Sequence, residues 1–362
     1  MNNVHPLTAV ELFEKLKNIK IGGTTCKYPL EKCEKLVPLV NAINQLKVEK
    51  NAVILAHSYV SPEIIYGVAD YVGDSYKLAK DALASQAETI VFAAVRFMAE
   101  TAKILNPDKK VFLPATLGGC TLADAIDAAK MHALKNKYPH HAFITYINTT
   151  AEVKALSDVI VTSSNVYDIV ERYPNDKIVF LPDKLMGENV IKEMERRHVH
   201  KDIVLFDGTC YVHEDYDSET IDYLKHQYGS DLQIVVHPEC SPAITKKADF
   251  VGSTSQMMHF VKTDNHHKYF VLTECGLVDR LQNEITPGTK QFIGSCTMCQ
   301  FMKSNELEHI YRVLAAPRKE DEVFVASEVI TAARQSLDNM FVYADASSVK
   351  NDPKLKTITP HA

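Results

Sequence analysis

Three cysteines recur almost evenly along the chain: Cys120, Cys210 and Cys299, at intervals of 90 and 89 residues. No local chelating motif has that spacing. It points to one structural unit that occurs three times and contributes one thiol each time. The rest of the sequence carries the same period. Ile54-Leu-Ala-His57, Ile144-Thr-Tyr-Ile-Asn148 and Ile234-Val-Val-His237 are Ile- and Val-rich runs ending in polar residues, the pattern of a buried parallel strand. A carboxylate follows each run (Glu63, Glu152, Glu239), then a short helical stretch, an Asp (Asp70, Asp158, Asp249) and a small-residue turn that opens another helix. IVFAAVRFMAETAKIL, KIVFLPDKLMGENVIKEM and KYFVLTECGLVDRL each read as strand, loop, helix. KVFLPATLGGCTLADAI, DIVLFDGTCYVHED and KQFIGSCTMCQFMKSNELEHI each read as strand, loop, cysteine, helix.

Such alternation predicts an α/β fold of three similar α/β/α domains, with small parallel sheets packed around a threefold-like axis. The repeat domains are expected at 46–138, 139–229 and 230–320. An N-terminal extension, 1–45, precedes them, and a C-terminal helix and tail, 321–362, follows, with its helical pattern from Glu322 to Met340. Ligands of parallel sheets collect beyond the carboxyl ends of strands. The pairs His57 and Tyr59, Tyr146 and Asn148, and His237 and Glu239 stand at that end, and so do the three cysteines. Threefold packing would gather them around one cavity.

Hydrophobic residues at 46% and charged residues at 24% are ordinary for a water-soluble fold. The net charge of −6 gives no reason to expect nucleic acid or an anionic membrane as partner. No apolar run approaches the roughly 20 residues that span a bilayer. Met1 to Lys20 is polar, with Glu11 and Glu14, unlike a signal peptide. A cytoplasmic location is expected, where eight cysteines are better read as thiols or metal ligands than as disulfides.

Structural zinc takes four ligands, usually in close pairs. The chain has one such pair, Cys296-Thr-Met-Cys299, and no second. Three thiolates from distant loops suit an iron–sulfur cluster better. A [4Fe–4S] cluster on three cysteines leaves one iron open to act as a Lewis acid on a substrate oxygen. Cys299 is preferred over Cys296 as ligand because it keeps the repeat spacing and directly precedes a helix. Cys240 and Cys275 read as packing residues, and Cys26 and Cys33 belong to the extension.

The motifs AHSYVSPEI with ADYVGDS, FMAETAKILNPDK, GCTLADA, YINTTAEVKALSD with TSSN, GTCYVH, HPEC, ADFVGSTS, TECG and CTMCQFMKSN cover the chain from about Ala52 to Leu314. In them it closely resembles the quinolinate synthase family. The resemblance implies three α/β/α domains about a pseudo-threefold axis and a [4Fe–4S] cluster on Cys120, Cys210 and Cys299. It implies condensation of iminoaspartate with dihydroxyacetone phosphate to quinolinate, phosphate and water, with transient contact to L-aspartate oxidase as a further expectation. Substrate residues would be His57, Tyr59, Ser75, Tyr146, Asn148, Ser163, His237, Glu239, Ser253 and Thr254. Two departures stand out: Ile293 occupies the first position of the CxxCxxC found in many relatives, and Phe206-Asp207 stands where many have Trp.

Within that frame Glu239, with His237 beside it, is the expected base, Tyr59 a proton donor, and Tyr146 a positioning hydroxyl. An N-cap role alone would account for any one of Ser75, Ser163 and Ser253-Thr254; the resemblance favours Ser163 and Thr254 as substrate contacts. Glu63 and Glu152 suit helix starts. His213 would support Cys210 from behind, and Arg96 is a candidate anion binder. Two other readings compete. The isoprenoid-diphosphate reductase and the diphthamide-forming proteins also gather three cysteines, but on motifs unlike these. A non-catalytic iron–sulfur sensor would not need polar clusters at all three strand ends.

Overall fold

The computed structural model describes residues 5–115, 117–294 and 297–345. An antiparallel hairpin, β1 (Lys20–Ile21) with β2 (Thr25–Cys26), lies in the extension. Three four-stranded parallel sheets follow. The first holds β3 (Ala52–His57), β4 (Tyr71–Gly73), β5 (Thr89–Ala93) and β6 (Lys110–Phe112). The second holds β7 (Ala142–Tyr146), β8 (Val159–Val161), β9 (Lys177–Leu181) and β10 (Asp202–Leu205). The third holds β11 (Leu232–Val236), β12 (Phe250–Val251), β13 (Lys268–Leu272) and β14 (Gln291–Ile293). Their spatial orders are β4-β3-β5-β6, β8-β7-β9-β10 and β12-β11-β13-β14, the same path each time. Helices cover both faces, so the inner strands are buried nearly throughout and read as unbroken apolar runs.

One hydrogen-bond exchange sets the register in every unit. The Asp70 carboxylate accepts from Ile54 N–H (2.8 Å), and Asp70 N–H returns a bond to Ile54 C=O (2.9 Å). Asp158 does the same with Phe143 (2.7 and 3.1 Å), and Asp249 with Ile234 (2.8 and 2.9 Å). Each Asp thereby fastens a short edge strand that its own ladder would hold weakly. The middle unit is therefore offset by one from the alignment on Ile144: Phe143 is the counterpart of Ile54 and Ile234. Both residues lie in a strand buried on both faces, where an apolar pattern cannot register a slip of one.

The extension is more than an appendage. Its helix Leu30–Glu49 runs across the expected boundary at 45 and packs on the first unit. Lys27 reaches Asp279 of the third unit (2.6 Å), and Lys20 N–H donates to Gln282 Oε1 (2.9 Å). The C-terminal helix begins later than the pattern suggested, at Ser327, and ends at Ala344. Before it, the chain is extended beside β6, with Leu113 N–H on Asp321 C=O (2.9 Å) and Val323 N–H on Val111 C=O (2.8 Å). Val323 and Val325 are buried while Phe324 is 85% exposed, an alternation that belongs to a strand.

Candidate functional site

The three cysteine loops are built alike. Each cysteine is the N-cap of a short helix: Cys120 of Thr121–Ala125, Cys210 of Tyr211–Glu214 and Cys299 of Gln300–Lys303. Each loop is seated by one bond from the chain that follows its neighbouring strand: Arg96 N–H to Gly118 C=O (2.8 Å), Lys184 N–H to Gly208 C=O (2.8 Å), Cys275 N–H to Thr297 C=O (3.0 Å). The loops also touch in a ring. Thr121 Oγ1 donates to Thr209 C=O (3.3 Å), Gln300 N–H to the Tyr211 hydroxyl (2.8 Å), and Leu117 N–H to Ser304 Oγ (3.3 Å). All three cysteines line one cavity.

Burial pushes the Cys120 thiol up to about 12, Cys210 well above its usual range, and Cys299 upward too. Backbone N–H groups at the helix starts pull each the other way. Left alone, the thiols would stay protonated; a bound soft cation would hold them as thiolates. The donor set therefore fits a thiolate-ligated iron–sulfur group. Cys240 and Cys33 are buried packing residues. Cys296, the less favoured ligand of that CxxC, lies outside the described residues.

With the register known, the expected site residues fall into equivalent triplets. His57, Tyr146 and His237 occupy one position, and Tyr59, Asn148 and Glu239 the position two further on. Ser75, Ser163 and Thr254 form a third set. All nine line the cavity. Ser253 is the exception. It is the counterpart of Asp74, and its hydroxyl caps a helix by accepting from Gln256 N–H (3.4 Å) and donates to Asp74 Oδ2 (3.1 Å). The carboxylate repeat also divides. Glu63 and Glu152 open helices, Pro62–Gly67 and Ala151–Ala155, whereas Glu239 lies a turn earlier, at the Tyr59 position. Arg96 is exposed beside Cys120 in a recess that it shares with Glu100 and Asp124, two carboxylates that disfavour an anion.

The same turn follows β3 and β11. His57 Nδ1 accepts from Tyr59 N–H (3.2 Å), and His237 Nδ1 from Glu239 N–H (3.4 Å). An accepting Nδ1 leaves the proton on Nε2. Burial lowers His57 to about 4 and His237 to about 3, so both rings are neutral donors near pH 7.

Glu239 is the centre of a chain of polar atoms across all three units. The Tyr146 hydroxyl donates to Oε1 (2.5 Å), and His213 Nδ1 lies 3.0 Å from Oε2, off the line of a good hydrogen bond. His213 Nε2 meets Thr273 Oγ1 (3.0 Å), which meets the Tyr59 hydroxyl (2.7 Å), which meets Thr254 Oγ1 (2.8 Å). Burial acts to raise the Glu239 carboxyl, but His213 and the Tyr146 hydroxyl outweigh it and hold the group well below the usual carboxylate range. Burial raises both tyrosines far above theirs. Glu239 is therefore a fixed anion and a weak base by itself; its charge acts through His213. Thr273 escaped the sequence reading because its counterparts, Ala94 and Pro182, carry no hydroxyl.

A family model described as Quinolinate synthetase A protein matches residues 41–342. The quinolinate synthase of Caulobacter vibrioides is 40% identical over 307 residues, covering 84% of this chain and 81% of its own. That of Caldicellulosiruptor bescii is 42% identical over 303 residues, covering 83% and 97%. That of Sinorhizobium medicae is 38% identical over 330 residues, covering 91% and 87%.

Proposed function

The chain belongs to the quinolinate synthetase A family, and on that premise we propose that it is a quinolinate synthase of NAD biosynthesis. It condenses iminoaspartate with dihydroxyacetone phosphate, giving quinolinate with loss of phosphate and water. Cys120, Cys210 and Cys299 would hold a [4Fe–4S] cluster, which when bound supplies a Lewis-acid iron for a substrate oxygen. The chain's own residues do the rest. His57 and His237 present Nε2–H to substrate oxygens, while Ser75, Ser163 and Thr254 offer hydroxyls around the same space. His213 exchanges a proton at Nε2 through the Thr273 hydroxyl, and the Glu239 anion stabilises the imidazolium that forms. The Tyr59 hydroxyl extends that path to the first unit, and Tyr146 holds Glu239 in place.

The observation that carries this reading is that His213 and Glu239, joined to Thr273 behind them, line the same cavity as the three cysteines. Among the described residues no helix is long and apolar enough to cross a membrane, and the small polar substrates suit a cytoplasmic enzyme. Iminoaspartate is a hydrolysable imine, which favours transient contact with the L-aspartate oxidase that would form it.

A second reading has one observation in its favour. Ligand atoms of Cys210, His213 and Glu239 lie within 4.8 Å of one another, close enough for a single metal ion. One experiment separates the two. Protein purified without oxygen is supplied with aspartate, aspartate oxidase and dihydroxyacetone phosphate, and quinolinate, iron and sulfide are measured. Quinolinate together with iron and sulfide supports the synthase. One metal per chain without sulfide supports the single-ion site, and no product from cluster-loaded protein refutes the assignment.

A further inference from the structure

Glu274 and Lys303 form a buried ion pair that the repeat does not explain. Glu274 has no solvent exposure and follows β13 at the position held by Val95 and Asp183 in the other units. Lys303 lies four residues beyond its cysteine, where the other units have Asp124 and Glu214. Only the third unit places a cation opposite an acid here. Lys303 Nζ sits 3.0 Å from Glu274 Oε1.

Each partner also grips a second group. Glu274 Oε1 accepts from the backbone N–H of Cys299 (3.3 Å), and Oε2 from Gly276 N–H (2.6 Å). Lys303 Nζ donates to the carbonyl of Tyr59 (2.5 Å), in the first unit. The packing leaves no slack: a Cβ on Gly276 would stand 2.8 Å from Glu274 Oε2 and 3.0 Å from both Lys303 Nζ and Tyr59 Cα. The pair thus joins a cysteine of the ring to the turn that aims the Tyr59 hydroxyl.

We infer that Glu274 and Lys303 are positioning residues that couple the seating of Cys299 to the placement of Tyr59. The inference rests on the quinolinate synthase reading. Ion pairing fixes the Cys299 backbone and the Tyr59 carbonyl through one rigid link, so a ligand of the third unit and a proton-path hydroxyl of the first hold a common geometry. Removing either partner leaves the other buried and unpaired. Removing both charges restores neutrality but loses the link.

The test uses anaerobically loaded full-length protein with Glu274→Gln, Lys303→Met and the double variant, each with and without Tyr59→Phe. Loss of iron to a chelator is timed, and kcat and KM are measured separately. Each single variant should lose iron about 10–100-fold faster, the range typical of groups that support metal ligands, and should lower kcat more than KM. The double variant should regain thermal stability yet still lose iron faster than the parent. Tyr59→Phe should lower kcat by a smaller factor in the Glu274→Gln background than in the parent, because the hydroxyl is already displaced. A folded double variant with the parent's iron-loss rate and an unchanged Tyr59→Phe factor overturns the coupling alone. A parent protein that takes up no iron and sulfide overturns the functional reading and this inference with it.

Discussion

The cysteine loops and the first-strand ends occupy corresponding places in every unit, but only the loops are alike. All three loops use the same N-cap position and the same seating hydrogen bond. The strand ends instead present His57 with Tyr59, Tyr146 with Asn148, and His237 with Glu239. Three identical sulfur donors suit a group with near-threefold symmetry. Three unlike polar pairs suit substrates that have no symmetry. The repeat thus supplies one frame, and chemistry enters where the copies differ.

The largest effect should come from breaking the part that is alike. Cys120→Ser, Cys210→Ser and Cys299→Ser are each expected to abolish quinolinate formation and to strip most iron and sulfide. The three losses should be equal within error, as read by metal analysis; one dispensable cysteine would end the idea of a three-membered ring.

The unlike position should respond unequally. Glu239→Gln is expected to lower kcat by about a hundredfold to ten-thousandfold, the range of general acid–base catalysis. Tyr59→Phe should lose less, because Thr254 and Thr273 remain, and Asn148→Ala should act chiefly on KM. Steady-state kinetics would reveal a flat response across the three, which would contradict the division of roles.

Much of this was legible in the sequence because it is local. Apolar runs marked the strands, and the cysteine spacing marked the loops. The offset at Phe143 was hidden, since a strand buried on both faces tolerates a slip in its reading. Ser253 shares its small-residue turn with Thr254, and only the register shows that it matches the capping Asp74. Thr273 meets His213 only across two units, and the Glu274–Lys303 pair has no counterpart in the other two, so the sequence period reveals neither. The extended stretch from Glu322 to Val325 reads as part of the following helix, although Val323 and Val325 alternate as a strand does.

Ser253 offers a smaller, sharper test. Ser253→Ala should destabilise the fold by about 1 kcal/mol through loss of a cap, as seen in urea denaturation, with KM for both substrates unchanged. A raised KM would return Ser253 to the substrate-binding set.

The smallest effect belongs outside the repeat. Arg312 and Arg318 outweigh burial and hold the Asp321 carboxyl below its ordinary range. Its folded pKa lies below the unfolded value of ~3.9, so its stabilisation is complete above that value. It is lost as pH falls through the folded one. Because both arginines are partly exposed, the contribution should be about 1 kcal/mol. Melting curves from pH 6 down to pH 2 should show Asp321→Asn less stable than the parent near neutrality, with the gap closing in acid. A gap independent of pH would remove the charge from the explanation.

The central claim is that three like thiolates, one from each unit, hold a cluster at the wall of the cavity where the unlike groups meet. Counting iron and acid-labile sulfide in protein loaded and desalted without oxygen tests it most directly. About four of each per chain are expected, falling together in each Cys→Ser variant. A single zinc or iron per chain, with no sulfide and no change on replacing Cys120, would contradict it.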